Sequence, residues 1–202
     1  MPNWVANQVY LKHPDRAMLQ RAYDALERGE MLEEFLPVPE VLKAHDPMSN
    51  ETHIDPTAVE RLIDQYGSGN WYDWCLENWG TKWDVGEAGL TSWEDDTMLA
   101  TAFDSAWSPP IEAFRTLESL GFEVLAYYYE PGMVFAGIFE HGYDDQYSGW
   151  STSTEAREIL PQQLDDTFAI SDQLEEFELE EMEDLQRWIH QATNNMETEN
   201  GN

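Results

Sequence analysis

The spacing of apolar positions switches repeatedly along the chain between a period of two and the helical period, and each change marks a different kind of structure. Residues 8–12 alternate, with Val9 and Leu11 on one face, as in a short strand. His13-Pro14-Asp15 then opens a helix whose stripe is Leu19, Ala22, Tyr23 and Leu26, and Gly29 is placed to end it in the left-handed conformation. Leu36-Pro37-Val38-Pro39 interrupts regular structure. Asp55 followed by Pro56 reads as an N-cap and first helical position. Val59, Leu62, Ile63 and Tyr66 repeat the buried spacing up to Gly67. A third short helix is expected over 71–78, before Gly80.

Beyond this point the period falls to two. Residues 82–94 and 97–106 read as strands joined by the acidic turn Glu94-Asp95-Asp96. Ser108-Pro109-Pro110 is expected to cap the next helix, with Ala113, Phe114, Leu117 and Leu120 inward and Gly121 at its end. Residues 122–130 and 133–141 form a hairpin about Pro131-Gly132. That pair suits a type II turn, so a bulge or a wider loop is expected. The order is that of an α+β domain with a ferredoxin-like, split βαβ antiparallel sheet, a helical insertion at about 40–80 and one extra strand.

After Trp150 the helical period returns. Thr152-Ser153-Thr154-Glu155 is a capping box for a short helix ended by Pro161, and Ser171 is placed to cap a longer one running to about Thr193. At about 100° per residue, Leu174, Phe177, Met182, Leu185, Trp188, Ile189 and Ala192 share a stripe roughly 140° wide, which also contains Glu178 and Glu181. Three roles stay open for this helix: weak docking on the domain, pairing with a second copy, or lying against a partner. The expected parts are a domain over 1–150, an acidic helical extension over 151–193 and a disordered tail over 194–202.

Composition narrows the class. The 202 residues are 42% hydrophobic and include 9 Trp, 9 Tyr and 8 Phe, too many apolar groups for a disordered acidic chain. No run suits a membrane span or a signal peptide, and the single Cys75 sits between Trp74 and Leu76 where a small buried thiol is the ordinary occupant. A reducing cytoplasm, that of a bacterial host cell, fits. The net charge is −31, from 41 acidic and 10 basic residues. Between Trp83 and Ala156 the one cation is Arg115, so phosphate neutralisation there is disfavoured and direct nucleic-acid binding is not expected.

Four segments, Met1-Pro2-Asn3-Trp4 with Asn7, Asn78-Trp79-Gly80-Thr81-Lys82-Trp83-Asp84, Phe103-Asp104-Ser105-Ala106-Trp107-Ser108-Pro109-Pro110, and Tyr129-Glu130-Pro131-Gly132-Met133-Val134-Phe135-Ala136-Gly137, together resemble the YubB-type ferredoxin-like domain proteins of bacteriophages and conjugative plasmids. The resemblance covers about residues 1–150. Family members often carry cysteine where this chain has Val5. What the resemblance implies is a ferredoxin-like fold and a mobile-element origin, with no catalytic residues.

Catalytic patterns are absent from the sequence. Gly67-Ser68-Gly69 lacks the Lys-Ser/Thr of a phosphate loop. His45 and His53, near Asp46 and Asp55, fit no compact zinc spacing, and neither Glu94-Asp95-Asp96 nor Asp144-Asp145 has the alternating pattern of a calcium loop. No metal and no cofactor is expected. Tyr127-Tyr128-Tyr129 resembles an RNA-binding aromatic platform but sits among Glu123, Glu130 and Glu140 without a cation. Trp71, Trp74, Trp79 and Trp83 read first as packing between insertion and sheet.

Acidity without a catalytic pattern points to a basic protein partner. The expected contact residues are Glu94, Asp95, Asp96, Glu140, Asp144 and Asp145 in the domain, with Glu175, Glu176, Glu180, Glu183 and Asp184 in the extension. The function expected is inhibition of a host nucleic-acid-binding or defence protein by DNA mimicry. Surface scaling gives one net charge per roughly 310 Å², against one per about 110 Å² for B-DNA, so mimicry requires clustering. The alternatives are an enzyme with an unrecognised carboxylate site and a halophile's solvating surface. Glu exceeds Asp 25 to 16, against the Asp enrichment expected of a halophile.

Overall fold

Strand β1 (Trp4–Lys12) organises the structure, pairing antiparallel with β3 (Met98–Ala106) on one side and β4 (Glu123–Glu130) on the other. Its alternating Val5, Val9 and Leu11 are buried, as the period of two dictates. The computed structural model describes residues 3–44, 56–86 and 90–200, a mixed α+β protein with a six-strand antiparallel sheet in the order β2-β3-β1-β4-β5-β6. The remaining strands are β2 (Leu90–Asp95), β5 (Phe135–Glu140) and β6 (Tyr143–Ser148).

The helices are α1 (Arg16–Arg28), α2 (Met31–Phe35), α3 (Glu40–Lys43), α4 (Pro56–Tyr66), α5 (Trp71–Asn78), α6 (Ile111–Ser119), α7 (Ser153–Ile159), α8 (Gln162–Phe168) and α9 (Ile170–Asn200). Helix α1 starts where Asp15 accepts from the Ala17 N–H at 2.8 Å and ends at Gly29 with φ 70°. Its Leu19, Ala22 and Leu26 join α6's Ala113, Phe114 and Leu117 in one buried cluster running from Val5 to Phe139. The chain forms two units, Met1–Gln146 and Tyr147–Asn202.

Several expectations are corrected. The strand expected from residue 82 begins only at Leu90, and 82–86 is an irregular segment. Ser108 does not cap α6: its hydroxyl donates to the Gly80 carbonyl, and Pro110 stands at the N-cap without a side-chain bond. Ser171 lies inside α9, giving its N–H and hydroxyl to Asp165 at 2.7 and 2.6 Å. Helix α9 runs on to Asn200, past the expected end near Thr193, because neither Gly nor Pro interrupts it before Gly201. Asp55, His45, Asp46 and His53 lie outside the described residues.

Helices α2, α3 and α8 and strand β6 go beyond the expected elements. Strand β6 forms because His141 (φ 52°) and Gly142 (φ 79°) both take positive φ, the two-residue turn whose twist suits a hairpin. The wider loop expected between β4 and β5 is present, with Val134 at φ 57° and the buried Glu130 carboxylate accepting from the Gly132 and Met133 N–H groups. In the second unit Thr152 caps α7 by accepting from the Glu155 N–H at 3.2 Å, while Glu155 reaches Ser151.

Candidate functional site

Strand register brings the candidate acids of the first unit to one end of its sheet but to opposite edges. Lys12 pairs with Met98 and with Glu123, and Leu125 pairs with Glu140, so the β2–β3 turn with Glu94, Asp95 and Asp96 shares one end with Glu140 and the start of β6. Strands β2 and β6 are nevertheless opposite edges, about 24 Å apart across five strand spacings. The six acids therefore do not form one cluster.

Their charges are also partly engaged. Arg16 crosses from α1 to bond Asp96 at 2.6 Å, a cation that sequence distance hides. Asp95 accepts from the N–H and hydroxyl of Thr97, which hold its carboxyl below the usual range. Asp144 lies in β6 and accepts from the Tyr128 hydroxyl at 2.7 Å. Tyr128 reaches it by lying across Gly137, its register partner on β5: a Cβ there would stand 2.2 Å from the phenol and 2.8 Å from the Asp145 carbonyl. Tyr128, Asp144, Gln146, Glu112 and Arg115 line an open cleft of about 400 Å³, in which Arg115 is paired with Glu112.

The other end of the sheet gathers the four segments that carry the family resemblance. Trp4 pairs with Ala106, and Ala6 with Tyr129. Asn3 accepts from the Trp107 N–H at 2.9 Å, Thr81 donates to the Ala106 carbonyl at 2.9 Å, and the buried Asn7 amide donates to Ser105 at 2.9 Å. Trp74 and Trp79 are buried, as the packing reading expects. Trp83, by contrast, is exposed and lies 5.9 Å from the exposed Trp4. Beside them Val38, Lys43, Trp71, Cys75, Trp79, Lys82, Trp83 and Asp84 line a cleft of about 340 Å³.

The charged groups of this cleft are mostly occupied. Lys43 binds Glu33 and Glu40, both at 2.7 Å, which raise it to about 12. Asp84 accepts from the Leu32, Glu33 and Val85 N–H groups, yet burial outweighs these bonds and pushes it up to about 6. Burial likewise pushes the Cys75 thiol up to about 12, so it is a poor nucleophile.

No family model and no curated protein matches this chain. Among solved structures it is similar to protein api92 from Yersinia pseudotuberculosis, of the family model DUF1281, at 12% identity and a TM-score of 0.41, over 75% of this chain and 99% of that one. Among the described residues no group of three or more His, Cys, Asp or Glu is arranged to hold a metal, and no helix is long and apolar enough to cross a membrane.

In the second unit, Glu175, Glu176, Glu180, Glu183 and Asp184 all lie on α9 and are exposed. Arg157 binds Glu175 and Asp172, and Arg187 binds Asp184. Glu178, inside the apolar stripe, accepts from the Ser153 N–H and hydroxyl at 2.7 and 2.9 Å and so fastens α9 to the start of α7. Further along, Phe177, Met182, Leu185, Trp188 and Ile189 are exposed, Trp188 by 66%. At about 100° per residue all five acids fall outside the stripe, Glu175 and Asp184 by about 20° on its two sides and Glu176, Glu180 and Glu183 by about 60° or more.

Proposed function

We propose that this chain is a non-catalytic acidic binding protein of a phage or plasmid. It inhibits a host nucleic-acid-binding or defence protein, of the restriction or CRISPR type, by presenting carboxylates in place of DNA phosphates. Helix α9 carries the reading. From Asp172 to Asp184 it holds eight carboxylates, one per roughly 2.3 Å of helix axis at a rise of about 1.5 Å per residue. Duplex DNA carries one charge per about 1.7 Å of axis, and each strand one per about 3.4 Å. Averaged over the whole surface the charge is too dilute for mimicry; along α9 that dilution disappears.

The order β2-β3-β1-β4, with α1 and α6 on the connections, supports a ferredoxin-like sheet to which β5 and β6 add a hairpin. The mobile-element origin rests on the resemblance of the four sequence segments alone. The exposed apolar stripe of α9 belongs to the same contact, seating in an apolar strip of the basic partner. A second copy would bring eight further carboxylates against it, and like charges oppose that pairing. The proposed site of action is the cytoplasm of the bacterial host.

Capture from a bacterial lysate at low salt, with elution by a salt step, tests the reading. The expected eluate is a nucleic-acid-binding protein that added duplex DNA displaces, while the chain itself shifts no oligonucleotide at about 150 mM salt. Capture that ignores both salt and DNA contradicts it. A second reading, an enzyme, draws on one observation, the Tyr128 hydroxyl on Asp144 within its cleft. Turnover abolished by Tyr128→Phe in a folded variant would favour it.

A further inference from the structure

The cleft at the aromatic end of the sheet is unrelated to the acidic surface. Trp71, Trp79 and Trp83 with Val38 give it apolar, largely flat walls. Its volume of about 340 Å³ falls in the range of small-ligand sites. Trp79 is fixed in place, being buried and donating its indole N–H to the Leu36 carbonyl at 2.9 Å.

Charge decides what chemistry suits these walls. Seven of the chain's ten basic side chains make ion pairs among the described residues, namely Arg16, Arg21, Arg28, Lys43, Arg115, Arg157 and Arg187. Lys82 is not among them. Its ammonium lies over the Trp83 ring at 4.5 Å and the Tyr72 ring at 5.4 Å, facing aromatic carbon instead of a carboxylate. The nearby acids are committed elsewhere: Glu33 and Glu40 turn onto Lys43, and Asp84 uses both oxygens on backbone N–H groups. In a chain with four times as many acidic as basic residues, Lys82 thus stands beside an aromatic cleft with no ion pair among the described residues.

We propose that this cleft binds a small organic anion with a flat aromatic body, whose rings stack on Trp83 and Trp71 and whose carboxylate or phosphate meets Lys82. The anion replaces the indole face as the partner of the Lys82 ammonium, and a charge-assisted bond to an oxyanion is stronger than a cation over a ring at an exposed site. Trp4, whose ring is tilted 38° to that of Trp83 with centroids 5.9 Å apart, packs against Trp83 and limits how far it can turn.

Calorimetric titration of the full chain with naphthalene-2-carboxylate, compared with the cationic 2-naphthylmethylammonium, tests the proposal. The expected result is saturable binding of the carboxylate only. Lys82→Gln weakens it about tenfold or more, Lys82→Arg keeps it, and Trp83→Ala loses it, each variant retaining the wild-type thermal transition. Equal or tighter binding of the ammonium, unchanged affinity in Lys82→Gln, or no binding of either probe overturns the proposal. None of these outcomes depends on α9, so the reading given above for the acidic surface stands or falls separately.

Discussion

The acids of the sheet and the acids of α9 carry the same charge and do different work. In the first unit many are structural: Glu130 closes the β4–β5 loop, Asp84 holds the start of α2, Glu34 joins Arg21 and Arg28, Asp96 takes Arg16 and Asp144 takes Tyr128. Along α9 eight carboxylates share Arg157 and Arg187, and Glu176, Glu180 and Glu183 make no ion pair among the described residues. The acids therefore divide into a set that builds the first unit and a set on α9 of which half, Asp172, Glu175, Glu178 and Asp184, are bonded within the second unit.

The sharpest way to test the structural half is Gly137→Ala. A Cβ at 2.2 Å from Tyr128 and 2.8 Å from a backbone carbonyl forces the Tyr128–Asp144 bond apart. The expected loss is about 3 kcal/mol of unfolding free energy by denaturant titration; a loss below about 1 kcal/mol would detach Asp144 from the fold.

Asp84 gives the next effect. Its folded pKa of about 6 stands above the unfolded value of about 3.9, so the folded state holds the extra proton between them. Stability then falls as pH rises from about 4 to 6 and is level above that. Asp84→Asn should remove this component, which is on the order of 2 kcal/mol after allowing for partial exposure. Parallel pH profiles for the two proteins would show that burial does not dominate at this carboxylate.

Removal of residues 171–202 is expected to cost least, because the buried cluster ends at Phe139. Calorimetry should retain a cooperative transition for the first unit, shifted by no more than a few degrees. Loss of that transition would place α9 within the structural half of the comparison.

How much of this was visible in the sequence depends on the range of the interaction. Stripes such as Leu19, Ala22 and Leu26, and Gly29 at a helix end, are local and were legible. Strand β6 was not, since Tyr143-Asp144-Asp145-Gln146 has no apolar alternation and only His141-Gly142 signals the hairpin. Glu175, Glu176, Glu180, Glu183 and Asp184 follow from the sequence as charged positions on one helix, and they are exposed. The separation of Glu94, Asp95 and Asp96 from Asp144 and Asp145 to opposite sheet edges, and the reach of Arg16 to Asp96 across 80 residues, are set by register and tertiary packing. The Lys82 and Trp83 arrangement was hidden for the same reason, because a tryptophan-rich run reads equally well as core.

The central claim is that α9 substitutes for nucleic acid, and the salt dependence of its binding tests it most directly. With the captured partner in hand, the affinity of the wild-type chain is measured from about 50 to 200 mM salt beside a variant carrying Gln at 175, 176, 180 and 183 and Asn at 184. The account predicts a steep fall for the wild type, an affinity on the order of 100-fold weaker and a shallower slope for the variant, and an unchanged thermal midpoint. Equal affinities and equal slopes for the two proteins would contradict it.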